Sequence, residues 1–532
     1  MLLWEWVQFT TTKTQIEMKN MNHFSGVCLT LVLYRMYRPV KRRRKCTFDV
    51  QRVSDTHYGA VAKVDFDSPF RIKKRHYRFP IGHTDIFTQA ESEGMEVNMP
   101  PARAQRVYPQ PECLDIELDT RLYPHQREGV LKAAAWGKAM IGDEMGVGKT
   151  AQGIALAKHF RGRTCIVCPS YLCKNWKREM EFWYPEHEIS IVNKTVPDTS
   201  AIISYDLTHR RVLGSFNVLI LDESHYVKNK SAKRTKAIMK LAKKTPHVFL
   251  LSGTPAPNKP VELWTQLAML MHIGTYTSFT HRYCGAKQSP LGFVDVSGAT
   301  HREELAWFMK STMLIRRLKR DVLQHLPDKT RTTLEVDVPS KGMKAKFARW
   351  KEINRLCLER ETHELIFERK QIVSELFNMT ANAKVDVIKK ICADLPPRTL
   401  IFHHHKVLGD AIEAALPHCM RIDGSTPQDK RDEYVTDFQE GRVDYCCLSM
   451  LAAGTGITLT RATNIVFAEL YFVPGVLLQC EDRAHRIGLE EPLTVTYVIA
   501  NGSLDAHMFK SATRKLSTLD RCLDGRNDRI FM

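Results

Sequence analysis

Two series of short, almost uninterrupted apolar runs constrain this chain more than any other feature. The first reads "AMIGD", "TCIVCP", "AIISYD", "NVLILDE" and "HVFLLSG"; the second reads "RTLIFHHH", "CMRIDG", "DYCCLSM", "NIVFAEL" and "LTVTYVIA". Amphipathic stretches such as "AQGIALAKHF" and "SAKRTKAIMKLA" lie between them. A strand with one wet face alternates apolar and polar residues. Strands that are apolar throughout need cover on both faces, which helices supply when they cross over between parallel strands. The expectation is an α/β protein with two successive parallel sheets flanked by helices. A charged helical stretch, "KGMKAKFARWKEINRLCLERETHELIFERKQIVSELF", separates the two series.

At 532 residues the chain has room for three or four domains of about 150 residues each. The changes in pattern divide it into a basic, flexible segment 1–45, a β-like aromatic accessory region 46–117, a first α/β unit 118–320, a helical insertion 321–384, a second α/β unit 385–515 and a tail 516–532. Lys and Arg number 78 against 59 Asp and Glu, a net charge of +19. That balance points to a polyanion partner, either nucleic acid or an anionic membrane surface. The apolar run Phe24 to Tyr34 is too short to span a bilayer, and basic residues follow it where a signal peptide would have a small-residue cleavage site.

The run "VKRRRKC" reads as a solvated patch, a nuclear localisation signal or a nucleic-acid contact. The segment "KKRHYRFPIGHTDIF" interleaves basic residues with Tyr77 and Phe79, so it suits phosphate contact and base stacking, or an ordinary hairpin. Fourteen scattered cysteines indicate a reducing compartment. Cys165 and Cys168 stand three apart on a strand, on opposite faces, and so read as core residues. His403 to His405 alternate faces in the same way and make a poor metal site.

Three places carry chemistry. "IGDEMGVGKT" puts Gly146, Gly148, Lys149 and Thr150 at a strand-to-helix turn, where backbone N–H groups and a helix N-terminus favour a phosphate. In the general pattern G-x-x-x-x-G-K-S/T the first position is glycine; here it is Asp143. "VLILDESH" ends a buried strand in Asp222-Glu223. One carboxylate can orient Mg²⁺ with the Thr150 hydroxyl while the other polarises a water. "QCEDRAHRIG" reads as a helix with Arg483 and Arg486 three apart on one face, able to reach a γ-phosphate as arginine fingers.

The ordered set "YPHQREGV", "DEMGVGKT", "DESH", "LLSGTP", "RRLKRDVLQHLP", "RIDGST", "LAAGTGITLT" and "QCEDRAHRIG" resembles the SWI/SNF-related ATPases of helicase superfamily 2. In that family the loop is written D-E-M-G-x-G-K-T, which accounts for Asp143. "DESHYVKN", "RYCGAK", "FAELYFVPG" and "YVIANGSLD" are most similar to the HARP-type annealing helicases and their zinc-finger-bearing relatives. The accessory region faintly resembles the HARP substrate-recognition module.

The resemblance implies two RecA-like P-loop lobes that bind ATP and Mg²⁺. Gln126 would read the adenine edge, and the loop Asp143, Glu144, Met145, Gly146, Val147, Gly148, Lys149 and Thr150 would hold the phosphates. Thr150 and Asp222 would serve Mg²⁺ and Glu223 would be the base. Ser252 to Pro255 would couple ATP state to DNA. Gly454 and Gly456 would lie at the interlobe cleft, and Arg483 and Arg486 would complete the site. His125, Leu489 (for a glutamine) and "YFVPG" (for a W-N/D-P-G turn) depart from the family pattern.

The implied activity is a monomeric, nuclear, DNA-dependent ATPase that translocates on duplex DNA and anneals or remodels stalled forks. Its DNA partners would be duplexes, forks or single-strand/double-strand junctions, and its protein partners are not legible. The rival readings are a nucleosome-remodelling ATPase with the same motor, a non-catalytic DNA-binding scaffold and an RNA helicase.

Overall fold

The computed structural model describes residues 116 and 118–525, apart from 290, 340, 361 and 453–455, together with the backbone of seven strands nearer the N-terminus. The chain divides into a unit Met1–Cys113 and a unit Leu114–Met532. In the first unit, Glu5–Phe9 pairs antiparallel with Ile16–Asn20, inside the segment expected to be flexible. A five-stranded sheet follows, in the order Arg71–Lys73, His76–Pro80, His57–Ala62, Thr47–Ser54, Glu96–Asn98. The basic-aromatic segment begins at the last residue of the first of these strands and supplies the second, and the two pair antiparallel as a hairpin.

The second unit holds the two expected parallel sheets. Before the first lies helix α1 (Pro124–Trp136). The sheet comprises β1 (Lys138–Ile141), β2 (Thr164–Cys168), β3 (Ile189–Ile191), β4 (Ser200–Ser204), β5 (Val218–Asp222), β6 (His247–Leu251) and β7 (Leu314–Ile315). Helix α2 (Lys149–Phe160) leaves β1, and helix α3 (Cys173–Trp183) leaves β2. The strand order is β3-β4-β2-β5-β6-β1-β7, all parallel.

Burial explains the unbroken apolar runs. Cys165, Val167, Leu219, Leu221, Val248 and Leu250 pack into one core, whereas their neighbours Ile166, Cys168, Val218, Ile220, Phe249 and Leu251 pack into another. Successive side chains point to opposite faces, and helices cover both. Each fully buried Val, Leu, Ile or Phe contributes about 1.5–3 kcal/mol. Cys165 and Cys168 fall on opposite sides of the sheet, as odd spacing on a strand requires.

The second sheet comprises β8 (Lys329–Val336), β9 (Thr399–His403), β10 (Met420–Ile422), β11 (Tyr445–Ser449), β12 (Asn464–Phe467) and β13 (Leu493–Ala500). Its order is β8-β13-β12-β9-β11-β10, again parallel. Helices α4 (Met343–Glu359) and α5 (His363–Ala393) stand between β8 and β9; α6 (Gln428–Gln439), α7 (Pro474–Glu481) and α8 (Asp505–Asp524) follow.

Two expected boundaries need correction. The segment 321–384 is not wholly helical, because its residues Lys329–Val336 form an edge strand of the second sheet. That strand is mostly exposed and polar, so no apolar run marked it. Residues 516–524 are not a separate tail, since α8 runs continuously through them. Its Met508 and Leu516 pack into the second lobe's core, while Leu519, Cys522 and Leu523 pack into the first lobe's.

Candidate active site

The glycine loop joins β1 to α2 and is framed from four directions. Asp143, fully buried, accepts from the Arg317 backbone N–H at 3.0 Å and Nε at 2.9 Å, and from Gln152 Nε2 at 2.9 Å. The carboxylate expected among the nucleotide-binding groups therefore belongs to the loop's frame. Glu144 Oε2 accepts from the Lys319 backbone N–H at 2.8 Å. Met145 is buried against Gly253 of the "SGTP" loop, where a Cβ would lie 2.1 Å from its Cγ.

Gln126 spans between Tyr123, whose N–H it accepts at 3.0 Å, and Val147, to whose carbonyl its Nε2 donates at 3.1 Å. His125 Nε2 meets the same carbonyl at 3.2 Å, and its ring stacks on Tyr123. Gly146 and Gly148 both have positive φ, 79° and 85°. A side chain would collide with Arg486 Cβ at 2.7 Å in the first case and with Gln126 Nε2 at 2.2 Å in the second. Glycine is thus required on both conformational and steric grounds.

Lys149 opens α2, and its Nζ donates to the carbonyls of Asp143 at 2.9 Å and Glu144 at 3.0 Å. Burial lowers the pKa of this ammonium, while Glu223, Asp143, Asp222 and Asp482 pull it back up. Thr150 is the next residue, in the first turn of α2.

Asp222 ends β5, and Glu223 follows it with a left-handed backbone (φ 51°). Adjacent strand residues point apart, but the left-handed turn brings both carboxylates within electrostatic reach of Lys149. Such a non-glycine conformation costs about 1–3 kcal/mol and persists only where the surroundings impose it. Asp222 Oδ2 accepts from the Trp176 indole N–H at 2.8 Å, and Oδ1 from the Glu223 backbone N–H at 2.9 Å. Burial and the neighbouring Glu223 raise Asp222 to about 6. Burial acts on Glu223 too, but His225, Lys149 and Arg483 outweigh it and hold Glu223 below the ordinary carboxylate range.

His225 Nδ1 lies 3.3 Å from Glu223 Oε2 and 3.2 Å from Ser252 Oγ. It thereby ties the acid pair to the "SGTP" loop. That loop reaches the second lobe: Gln479 Nε2 donates to Thr254 Oγ1 at 3.2 Å, and the Gly475 N–H donates to Pro257 O at 3.2 Å. Gly475 is the glycine of "YFVPG", and a Cβ there would lie 2.9 Å from Pro257 Cα.

Across the cleft, Arg483 and Arg486 lie not on the expected helix but in the turns that follow α7, which ends at Glu481. Arg483 is buried, with Nη1 3.5 Å from Ile457 O and Nε lacking a hydrogen-bond partner. Arg486 is held to about 10 by burial and by Arg483, against the pull of Asp482 and Glu179. Gly456 (φ 75°) packs on the first lobe, where a Cβ would meet Leu172 Cδ2 at 2.5 Å. Gly454 lies outside the described residues. Leu489, at 7% exposure, is a core residue of the second lobe, so the departure from glutamine is absorbed as packing.

Beside this contact runs an interlobe cleft of about 540 Å³. Lys174, Lys177 and Arg178 of α3 line one wall; Gln428 and Asp432 of α6, with Thr458, line the other.

The structure thus gathers Lys149, Asp222, Glu223, Arg483 and Arg486 around one interlobe site. It also shows what spacing did not assign, the basic string of "RRLKRDV". Arg316 Nη1 donates to Gly142 O at 2.6 Å and its Nε to Asp524 Oδ1 at 2.8 Å. Arg317 clamps Asp143, and Lys319 pairs with Asp482 and the His485 carbonyl of the second lobe. Each contact joins groups more than 160 residues apart. The available signal was a basic run followed by an apolar residue, too dense in charge for a purely buried strand and unusual for a solvated turn.

Among the described residues no group of three or more His, Cys, Asp or Glu is placed to hold a metal. The donors present at the loop, one carboxylate and one hydroxyl, are hard oxygens of the kind Mg²⁺ uses alongside substrate phosphates.

A glycine loop and an acid pair on one parallel sheet, faced by arginines from a second, is the layout of two-lobed RecA-like P-loop proteins. The SNF2-related domain matches residues 125–390, half of the chain, and the helicase conserved C-terminal domain matches 383–488. The chain belongs to the SNF2-related family.

A SWI/SNF-related matrix-associated actin-dependent regulator of chromatin subfamily A-like protein 1 homolog from Caenorhabditis elegans is 36% identical over 436 residues, covering 76% of this chain and 62% of the relative. The DNA annealing helicase and endonuclease ZRANB3 of Bos taurus is 36% identical over 467 residues, covering 80% and 42%. The protein of that name from Homo sapiens is 34% identical over 461 residues, covering 79% and 42%. The match therefore spans less than two thirds of these relatives' own length.

Proposed function

We infer that the chain is a DNA-dependent ATPase that translocates on duplex DNA and anneals or remodels strands at stalled forks, within the nucleus. The observation that carries this reading is the convergence of Lys149, Asp222 and Glu223 from one lobe with Arg483 and Arg486 from the other. ATP in the cleft would place its phosphates at the loop N–H groups and Lys149. Mg²⁺, held by Thr150 and Asp222 with the phosphates, would neutralise developing charge. Glu223 would orient and deprotonate the water, and the two arginines would stabilise the transferred phosphoryl group.

Hydrolysis would be felt across the lobes through His225, Ser252 and Thr254, which already link the acid pair to Gln479. The cations of α3 along the cleft suit a phosphate backbone read without base contacts, so binding should weaken steeply with salt. Likeness to relatives named as annealing helicases supports strand annealing over other outputs of the motor.

The test is ATP hydrolysis by purified protein with Mg²⁺ and single-stranded, duplex or forked DNA, followed by annealing and nucleosome-sliding assays. Hydrolysis stimulated by forked DNA together with annealing is the expected result. Sliding without annealing would make the chain a nucleosome remodeller. Stimulation by single-stranded RNA but not forked DNA would make it an RNA helicase. No hydrolysis on any DNA would reduce it to a scaffold.

A further inference from the structure

Helix α3 presents the cleft on one side and reaches the acid pair from the other. Lys174, Lys177 and Arg178 are exposed on the cleft wall, spaced three and four apart. Cys173, Trp176 and Met180 are buried on the opposite side. Trp176, 1% exposed, bridges from this helix to the carboxyl end of β5, where its indole N–H meets Asp222 Oδ2 at 2.8 Å.

Two other groups restrain Asp222. The Glu223 backbone N–H holds Oδ1, and the Tyr205 hydroxyl donates to the Asp222 carbonyl at 2.7 Å. Of the three restraints, the indole alone stands on an element that also lines the cleft. An indole is a rigid plate with two torsions and one donor, and it fills a packed core, so a shift of α3 is transmitted to its tip.

We propose that Trp176 is a positioning residue for Asp222, through which a polyanion in the cleft sets the geometry of the metal-side carboxylate. This rests on the reading of the chain as a DNA-dependent ATPase and adds the route by which DNA acts on hydrolysis. Phosphates drawn to Lys174, Lys177 and Arg178 displace α3, whose Lys174 now faces Asp429 of the other lobe at 3.7 Å. The indole moves with the helix and turns the Asp222 carboxylate about its own torsions. Phenylalanine at this position keeps an aromatic ring in the core and removes the donor together with the indole's second ring.

The test uses Trp176→Phe in the whole chain, with three measurements: duplex affinity by anisotropy, the Mg²⁺ concentration giving half-maximal binding of a fluorescent non-hydrolysable ATP analogue with duplex present, and the DNA-stimulated hydrolysis rate. The expected result is duplex affinity within about threefold of the parent, a Mg²⁺ half-point raised about tenfold, and DNA stimulation cut about tenfold, the scale of a lost hydrogen bond to a charged group. An unchanged Mg²⁺ half-point overturns the proposal, because that binding is read without turnover. If the parent chain hydrolyses ATP without any response to DNA, the functional reading falls, and this proposal with it.

Hydrogen exchange on the parent chain guards against a Trp176→Phe protein that does not fold. Duplex should slow exchange in residues 173–183 and 218–224 together. Protection of the first segment without the second overturns the proposal.

Discussion

Two of the molecule's adjacent acid pairs, Asp222-Glu223 at the end of β5 and Glu481-Asp482 at the end of α7, are held in opposite ways. Glu481 is ringed by Lys329 at 2.7 Å, Arg331 Nε at 2.8 Å and the Tyr497 hydroxyl at 2.6 Å. Its burial alone would raise its pKa, but these cations drive it well below the carboxylate range. Asp482 is paired with Lys319. In the first pair, by contrast, Asp222 is pushed up by burial and by its neighbour, and Glu223 Oε2 is buried without hydrogen-bond geometry to any donor. Both pairs look alike in sequence. A saturated pair is framework, whereas an under-partnered pair keeps its charge for something that binds.

That contrast can be broken by experiment. The largest effect should come from Arg483→Ala, which removes the cation facing the under-partnered pair: hydrolysis should fall about 10³–10⁵-fold. Glu223→Gln, which keeps shape and removes the base proposed above, should cost about 10²–10⁴-fold in rate. Neither should shift unfolding by more than about 1 kcal/mol, since neither group anchors the fold.

Glu481→Ala should do the reverse through its effect on the fold. Leaving Lys329 and Arg331 buried without their carboxylate should cost about 3–5 kcal/mol in denaturant unfolding. If Glu481→Ala proved as stable as the parent, the distinction between the two pairs would collapse. Asp524→Asn, which weakens the pair with Arg316, should cost about 1–2 kcal/mol and loosen the Gly142 end of the loop, read as weaker nucleotide binding.

The last effect is in pH and needs acid to be seen. Burial, with Lys329 and Lys319, lowers His485 to about 4, so the folded protein keeps this ring neutral. Between about 6.5 and 4 the unfolded chain takes up a proton that the folded chain refuses. Stability therefore falls as pH falls through that window. Melting temperature against pH should fall less steeply over that range in His485→Gln than in the parent chain.

Most of the ten apolar runs were legible because helices cover both faces of the central strands; nearer the edges polar residues intrude, Arg421 in β10 and the exposed Thr494 in β13. β8 escaped notice for the opposite reason: "KTRTTLEV" is an exposed edge whose pairing with β13 depends on a partner far along the chain. The same distance hid the second acid pair. Nothing near Glu481 in sequence announces Lys329 and Arg331, and Asp143 gave no sign that Arg317 would claim its carboxylate. Gly146 and Gly148 were readable because a phosphate loop is local, made by a turn and a helix start within ten residues. Local chemistry is written in spacing; partners brought together by the fold are not.

One consequence concerns the order in which the molecule can be made. Leu519, Cys522 and Leu523 complete the first lobe's core, and Asp524 pairs with Arg316 across 208 residues of chain. On a ribosome the first lobe emerges early but stays unfinished until the second has been synthesised. The nascent chain must therefore carry an open apolar seam through that interval, a hazard that chaperones meet in multidomain proteins. The Gly142 end of the glycine loop, held by Arg316 and through it by Asp524, is likewise completed only once α8 has been made.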